Sequence, residues 1–209
     1  MSIGDRLGRP PATSRGQLER VALRLFHERG FEGTTVDDIA EAAGVSRRTF
    51  FRYFASKNDV VWGDFDSLLS GMDDWLAGAP RGAVVLGTLA EAVVRFNSVA
   101  PEALPAHRER MALILHVPAL QAHSTLRYAD WRQVVARFAA RQLCLPIDDF
   151  IPQLVGHVAL AAAVAAYEHW LADPDASLAE LLRRAFDALP VITDVNFSVD
   201  YEGSGEVRS

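Results

Sequence analysis

Cysteine is almost absent from this 209-residue chain, since Cys144 is its only one. A single cysteine cannot form an intrachain disulfide, which suits a reducing compartment. The sequence has no run of eighteen apolar residues, and its first eleven residues lack the apolar segment of a secretory signal peptide. We therefore expect a cytoplasmic protein that does not enter a membrane.

Motifs for catalysis and cofactor binding are also missing. The sequence contains no Walker loop, no dinucleotide-binding glycine fingerprint and no nucleophile elbow. Its histidines are scattered, and no two of them stand at the His-x-x-x-His spacing of metal ligands. These absences argue against an enzyme and predict neither a cofactor nor a metal site.

Sustained alternation of polar and apolar residues, the pattern of a half-buried strand, does not occur either. Apolar residues instead recur every three or four positions, which is typical of amphipathic helices. We expect an all-α fold without a sheet and with about nine helices. The predicted helices cover residues 18–29, 36–43, 47–54, 56–75, 81–99, 106–117, 120–143, 147–172 and 177–189.

Residues 34–59 contain signals for three helix starts in close succession. Thr35 stands three residues before Asp38, which is the order of a capping box. Gly44 can adopt a positive φ, and Ser46 can cap the helix that follows. Two short helices joined by a glycine-containing turn form a helix-turn-helix.

The second helix of this pair has two chemically different faces. Its outer face carries Arg47, Arg48, Thr49, Arg52 and Tyr53. Its inner face is expected to carry Phe50, Phe51 and Phe54. Arginine can bind a guanine edge and threonine a base or a thymine methyl, so the outer face suits a recognition helix in the major groove of DNA. A small helical core with solvated arginines is the alternative interpretation.

Around these residues the sequence resembles the N-terminal domain of TetR-family transcriptional regulators. The match covers about residues 17–59 and includes a Phe-Glu-Gly-Thr-Thr segment at 31–35, the turn at 40–46 and a Tyr-Phe-x-Ser-Lys block at 53–57. Several separate motifs therefore occur in the family's order and at the family's spacing.

The resemblance implies two sets of DNA contacts. Phosphates would be held by Thr35, Tyr53 and Lys57, and bases would be faced by Arg47, Arg48 and Thr49. Two positions depart from the family pattern, because Phe51 replaces a frequent tyrosine and Arg48 replaces a frequent glycine. The operator sequence therefore cannot be transferred from relatives.

Further blocks resemble one TetR subgroup, the regulators associated with mycofactocin biosynthesis clusters. They are NDVVWGDFD at 58–66, FNSVAPE at 96–102, HRERM at 107–111, AHSTLRYADWR at 122–132 and YEHWL at 167–171. With these blocks the resemblance extends over most of the chain, to about residue 189.

Charge is distributed unevenly along the chain. Residues 1–57 hold 10 basic and 7 acidic side chains, whereas residues 58–209 hold 11 and 20. A basic N-terminal part on an acidic remainder suits a DNA-binding domain attached to a domain that does not touch phosphates. We expect a flexible basic leader at 1–14, a DNA-binding domain at 15–57, a helical effector-binding and dimerisation domain at 58–190, and a disordered tail at 191–209.

Residues 147–172 are apolar on nearly every side of the predicted helix. Such a helix must be buried all round. We expect it to form a homodimer interface together with residues 177–189, with two helices from each subunit in a four-helix bundle. A central core helix within one subunit is the alternative. Dimerisation would place two recognition helices on the two half-sites of a palindrome.

The C-terminal domain is expected to bind an apolar effector, such as a long-chain acyl-CoA, between the helices at 58–75, 81–99 and 120–143. The predicted apolar lining is Phe65, Leu69, Phe96, Met111, Leu115, Trp131 and Phe138, and a polar or anionic end of the ligand would be held at the mouth by His107, Arg110, Arg127 and Tyr128. Such a lining selects an apolar body. Binding would tilt the helix at 56–75 and weaken the grip on DNA.

Two functions follow from these patterns. The first is a dimeric repressor that binds a palindromic double-stranded DNA operator and is released by its effector. The alternative is a helical protein–protein interaction module whose helix-turn-helix-like domain does not read DNA sequence.

Overall fold

The computed structural model describes residues 14–194, and the side chains within them up to residue 190. These residues form ten α-helices and one short 3₁₀ helix, with no strand among them, which confirms the predicted all-α fold. All of the predicted leader at 1–14 except Ser14, and most of the predicted tail at 191–209, lie outside the described residues.

The helices follow one another with short connections. They are α1 Arg15–Arg29, α2 Val36–Ala42, α3 Arg47–Tyr53, α4 Lys57–Val60, α5 Phe65–Ala77, α6 Val85–Phe96, α7 Leu104–His116, α8 Pro118–Leu143, α9 Phe150–Ala172 and α10 Leu178–Asp194. The 3₁₀ helix, Pro101–Ala103, precedes α7.

Helices α2 and α3 begin at the capping residues that the sequence indicates. The hydroxyl of Ser46 accepts a hydrogen bond from the backbone N–H of Thr49 at the start of α3. Thr35 and Asp38 form the predicted capping box at the start of α2. Since these caps satisfy N–H groups that a helix leaves unpaired, they define where each short helix begins.

The phenylalanines of α3 do not all face inward, which corrects one expectation. Phe50 and Phe54 are buried in the core of the N-terminal domain, but the side chain of Phe51 is 43% exposed. Residues 50 and 54 share a face because they are four positions apart, whereas residue 51 lies about 100° further round the helix. Phe51 therefore lies on the same side as Arg47, whose guanidinium sits 5.2 Å from its ring centroid.

The single helix predicted over residues 56–75 is wrong, because the chain breaks between α4 and α5. Gly63 adopts φ 51°, which an α-helix cannot contain. Val61 and Trp62, which precede it, are buried in the core. Burying both side chains turns the backbone out of the helix, and this break raises the number of α-helices from nine to ten.

The last helix also differs from its prediction. We expected α10 to end before Pro190, but it continues through this residue to Asp194. Proline removes one backbone donor and disturbs the carbonyl four residues earlier. Only the final turn lies beyond Pro190, so the disturbance is confined to the helix end.

The C-terminal domain is organised around α8 and α9. These long helices pack against each other, and α10 covers both α9 and α6. At Gly156 of α9 an added Cβ would lie 2.9 Å from the backbone oxygen of Arg132 in α8. Glycine at this position therefore permits the close approach of the two helices.

The two domains touch through two helix pairs. In one pair α1 of the N-terminal domain packs against α7, and in the other α4 packs against α8. Helices α7 and α8 therefore contact the two helices that flank α2 and α3.

Replacing Phe50 and its neighbour Phe51 separately tests the orientation of α3. Phe50→Ala removes a fully buried ring and should lower the free energy of unfolding by about 3–5 kcal/mol. Phe51→Ala should cost about 1 kcal/mol or less, because nearly half of its side chain is already exposed to water. Urea denaturation followed by circular dichroism measures both values, and equal losses would contradict the observed orientation.

Candidate DNA-binding surface and ligand cavity

Arg48 is the most accessible base-reading candidate on α3. Its side chain is exposed, and no residue within 14–194 forms a hydrogen bond or ion pair with it. Its neighbour Arg47 donates to both carboxylate oxygens of Asp37, at 2.9 and 2.8 Å, and covers the ring of Phe51. The two adjacent arginines thus differ, since only Arg47 must exchange a partner before it can bind a base.

The other predicted residues of α3 have local contacts. The Arg52 guanidinium lies 4.9 Å from the ring centroid of Tyr53 and donates to its hydroxyl at 3.3 Å. The Thr49 hydroxyl lies 3.0 Å from that of Ser46. Both groups stay at the surface of α3, where DNA contact stays a prediction.

Two predicted phosphate ligands are engaged in internal bonds. Lys57 donates from Nζ to the backbone oxygens of Phe31, at 2.7 Å, and Thr34, at 3.0 Å. The Thr35 hydroxyl donates to the Asp38 carboxylate at 2.5 Å. Lysine has three N–H donors, so Lys57 can still offer one to a phosphate, whereas Thr35 must first release Asp38.

A cavity of about 200 Å³ lies inside the C-terminal domain, between α5 and α9. Its wall includes six of the nine residues predicted to bind an effector: Phe65, Phe96, His107, Met111, Leu115 and Trp131. Arg110 and Tyr128 also line it. The wall is mostly apolar, and such a surface suits an apolar ligand.

Three predicted effector residues lie elsewhere. Leu69 is not part of the cavity wall and packs against the core instead. Arg127 is held by Asp59, at 3.5 Å, and by Asp66, at 2.5 Å. Phe138 is buried in the core. Spacing along a helix identified which side chains are buried but could not distinguish solid core from cavity.

Sequence reasoning missed a wall of the cavity formed by α9. This wall contains Leu160, Ala163, Val164 and Tyr167. We had assigned all of residues 147–172 to a dimer interface. The spacing of these four residues, i, i+3, i+4 and i+7, is that of one helix face and could have indicated a second packing surface.

A chain of neutral polar groups crosses the cavity wall. The Tyr167 hydroxyl donates to Asn97 Oδ1 at 2.7 Å and lies 2.8 Å from His107 Nε2. Since Tyr167 has a single proton, His107 completes the chain by donating from Nε2. Burial and, to a smaller extent, the charge of Arg110 together lower the pKa of His107 to about 4. Burial also raises the pKa of Tyr167 well above its usual value, so both groups are neutral at pH 7.

Arg110 is the one charged side chain among the described wall residues. No group of three or more His, Cys, Asp or Glu side chains placed to hold a metal ion occurs within residues 14–194. The described wall can therefore bind an apolar body through dispersion and an oxygen acceptor through Arg110.

The outward face of α9 is apolar and exposed. Phe150 is 72% exposed, and Ile151, Leu154 and Val158 lie on the same side. Within the described part of the chain, α9 is the one helix long and apolar enough to cross a membrane, a test that core helices of soluble proteins also pass. The opposite face packs on α8 and lines the cavity. The expectation that α9 is buried all round is thus not met within a single subunit.

Comparison with known families identifies both halves of the chain. A family model described as bacterial regulatory proteins, tetR family, matches residues 20–61. A second, described as the MftR C-terminal domain, matches residues 83–191. The chain belongs to the TetR family of transcriptional regulators. The resemblance seen in the helix-turn-helix and in the later blocks is confirmed.

Similar TetR regulators are known from other bacteria. The chain is 43% identical, over 88% of its length and 93% of the other protein, to the protein assigned as mycofactocin biosynthesis transcriptional regulator MftR in Mycobacterium tuberculosis. It is 32% identical, over 84% and 80%, to the regulator TcmR of Streptomyces glaucescens. Both relatives are named as transcriptional regulators.

Solved TetR structures share the fold. FadR of Thermus thermophilus, crystallised with lauroyl-CoA, is 24% identical with a TM-score of 0.54, covering 85% of this chain and 93% of that one. FadR of Bacillus subtilis, crystallised with stearoyl-CoA, is 15% identical with a TM-score of 0.59, covering 84% and 97%. The two-part helical architecture is therefore that of TetR regulators.

The low pKa of His107 predicts a pH-dependent stability. At pH values between the usual pKa of 6.5 and the folded value of about 4, His107 binds a proton in the unfolded chain but not in the folded chain. Stability is therefore lost as the pH falls through this window, by about 3 kcal/mol from this group. Urea denaturation at pH 7 and pH 4.5 should show a smaller loss for His107→Gln than for the wild type. Equal losses would mean that His107 titrates normally.

Proposed function

We propose that this TetR regulator is a dimeric repressor that binds a palindromic DNA operator through α3 and leaves it when an apolar effector enters the cavity. The observation that carries the proposal is an apolar cavity whose walls include α7, the helix that touches α1 of the DNA-binding domain. A ligand that fits the two states of this contact unequally shifts the equilibrium between them.

The DNA-reading part of the proposal rests on α3. Arg48 reads a base directly, and Arg47 and Thr49 contact neighbouring bases. Arg52, Tyr53, Thr35 and Lys57 hold phosphates on either side. Phe51, which lacks a hydroxyl for a phosphate, offers its exposed ring to a thymine methyl in the major groove.

Arg47 adds a condition to DNA binding. The contact between Arg47 Nη1 and both carboxylate oxygens of Asp37 must open or turn when a base edge approaches. Both side chains are exposed, and a surface pair of this kind contributes about 0–1 kcal/mol. Breaking this pair therefore costs little free energy. Asp37 also repels any phosphate that approaches α2 in the wrong position.

The effector is an elongated apolar molecule, for which a long-chain acyl-CoA is the best candidate. Two TetR proteins of the same fold have been crystallised with lauroyl-CoA and stearoyl-CoA. The cavity of about 200 Å³ is smaller than the usual range for drug-sized ligands. A long acyl chain must therefore move the surrounding helices apart, which supplies the displacement that a ligand-controlled regulator needs.

The dimer forms through α9 and α10. The exposed apolar stripe of Phe150, Leu154 and Val158 leaves water when it meets the same stripe of a second subunit. The regulator acts in the cytoplasm, where its operator lies, and α9 faces a partner subunit there instead of lipid.

Arg48→Ala tests whether α3 reads sequence. On the operator, located by footprinting DNA upstream of the regulator's own gene, affinity should fall by about 1–3 kcal/mol. On random DNA of equal length the loss should be much smaller, and Arg81→Ala, an exposed arginine far along the chain, should change neither. Fluorescence anisotropy measures these affinities. Equal losses on both DNAs would favour simple phosphate binding or the interaction-module alternative.

Leu154→Arg tests the dimer. The new charge lies in the centre of the proposed interface and should convert the dimer to a monomer at micromolar concentration. Leu126→Arg is the matched control, because Leu126 is 70% exposed on α8, outside the proposed interface. Sedimentation velocity distinguishes the two states. If Leu154→Arg sediments as the wild type does, the interface lies elsewhere.

A further inference from the structure

One ion pair connects the ligand cavity to the DNA-binding domain. Arg110 of α7 lines the cavity, and its guanidinium pairs with the carboxylate of Glu19 in α1. The side chains are only 23% and 17% exposed. Removing one partner of a largely buried pair leaves the other charge poorly solvated, so the pair resists opening unless a new anion or carbonyl replaces Glu19.

The same pair packs against the break between α4 and α5. A Cβ added at Gly63 would lie 2.5 Å from Arg110 Nη1 and 3.0 Å from Glu19 Oε1. The backbone oxygen of Gly63 accepts a hydrogen bond from Arg15 Nη2 at 2.7 Å. The cavity wall, the helix break and α1 therefore meet at one point. The two residues of α1 at this point, Arg15 and Glu19, are both charged.

Two side chains of the cavity wall contain buried donors that have no partner among the described residues. Arg110 Nε and Trp62 Nε1 are buried and have no hydrogen-bond partner among the described residues. Both residues belong to the wall. Unpaired buried donors cost free energy, and a ligand that supplies an oxygen acceptor recovers it. Since His107 and Tyr167 are neutral, no anion of the described wall competes for Arg110.

We propose that Arg110 binds the carboxylate or carbonyl oxygen of an acyl ligand and thereby releases Glu19, so that α1 loosens when the cavity is filled. This inference rests on the proposed function for its consequence at DNA, but the binding step stands on the cavity alone. Glu19 and the ligand compete for one guanidinium. Each therefore weakens the binding of the other by the same factor.

Dodecanoate is a suitable probe, with dodecan-1-ol as the uncharged control of equal chain length. Trp62 and Trp131 line the cavity, so their fluorescence reports binding without DNA. The wild type should bind dodecanoate at least tenfold more tightly than dodecan-1-ol. Arg110→Gln should abolish this preference, and Arg110→Lys, which keeps the charge, should restore part of it.

Glu19→Gln is the decisive variant. Without the competing carboxylate, dodecanoate should bind about tenfold more tightly than to the wild type. In the wild type, dodecanoate should weaken operator binding more than tenfold. In Glu19→Gln, dodecanoate should weaken it less than threefold. Glu28→Gln, which removes an exposed pair with Arg24 on the same helix, should change neither quantity. Circular dichroism confirms that each variant is folded.

The outcomes separate the two proposals. If dodecanoate and dodecan-1-ol bind the wild type equally, or if Glu19→Gln leaves dodecanoate affinity unchanged, the role of Arg110 is refuted. If those fluorescence results hold but the wild type binds no operator, the proposed repressor function fails while the Arg110 site stands.

Discussion

The connection between the two domains depends on a left-handed backbone turn at Gly63. This turn ends α4, starts α5 in a new direction and brings a backbone oxygen within reach of Arg15. It also leaves the space that the Arg110–Glu19 pair occupies. A side chain at Gly63 would strain the backbone at this positive φ and would displace the ends of Arg110 and Glu19.

A second ionic contact supports the first. Asp59 of α4 faces His123 and Arg127 of α8, at 3.3 and 3.5 Å. Burial by itself would raise the pKa of Asp59, but the Ser56 hydroxyl and the two facing side chains keep it below the usual value. The DNA-binding domain is therefore attached to the C-terminal domain by charges at α1 and at α4. Charged contacts are easier to exchange for a ligand or solvent than apolar core, which suits a regulator that must change the position of its DNA-binding helices.

The incorrect predictions share a cause, because each relied on a local sequence pattern where the packing of helices decides the outcome. We expected Phe51 to face inward with the other phenylalanines of α3. The side of the helix on which it lies depends on its angle from Phe50, and because α3 packs on one side only, Phe51 is partly exposed. The segment 56–75 has a regular apolar stripe on both sides of Gly63. This periodicity does not reveal that Gly63 adopts a positive φ, which breaks the helix. Leu69 packs against the core and Phe138 lies within it, although both are apolar residues that could equally line a cavity. Whether a side chain lines a cavity depends on how several helices fit together.

The helix starts at Thr35 and Ser46, the all-α class, the helix-turn-helix and the family could all be predicted from the residues alone. These depend on interactions between residues a few positions apart, or on motifs whose spacing is read along the chain. Only the tertiary structure decided that α9 lines a cavity on one face and leaves an apolar stripe on the other. It also decided that Arg110 reaches Glu19, 91 positions away. Such contacts join residues that no local periodicity relates, because their distance depends on how the helices pack and where the chain breaks.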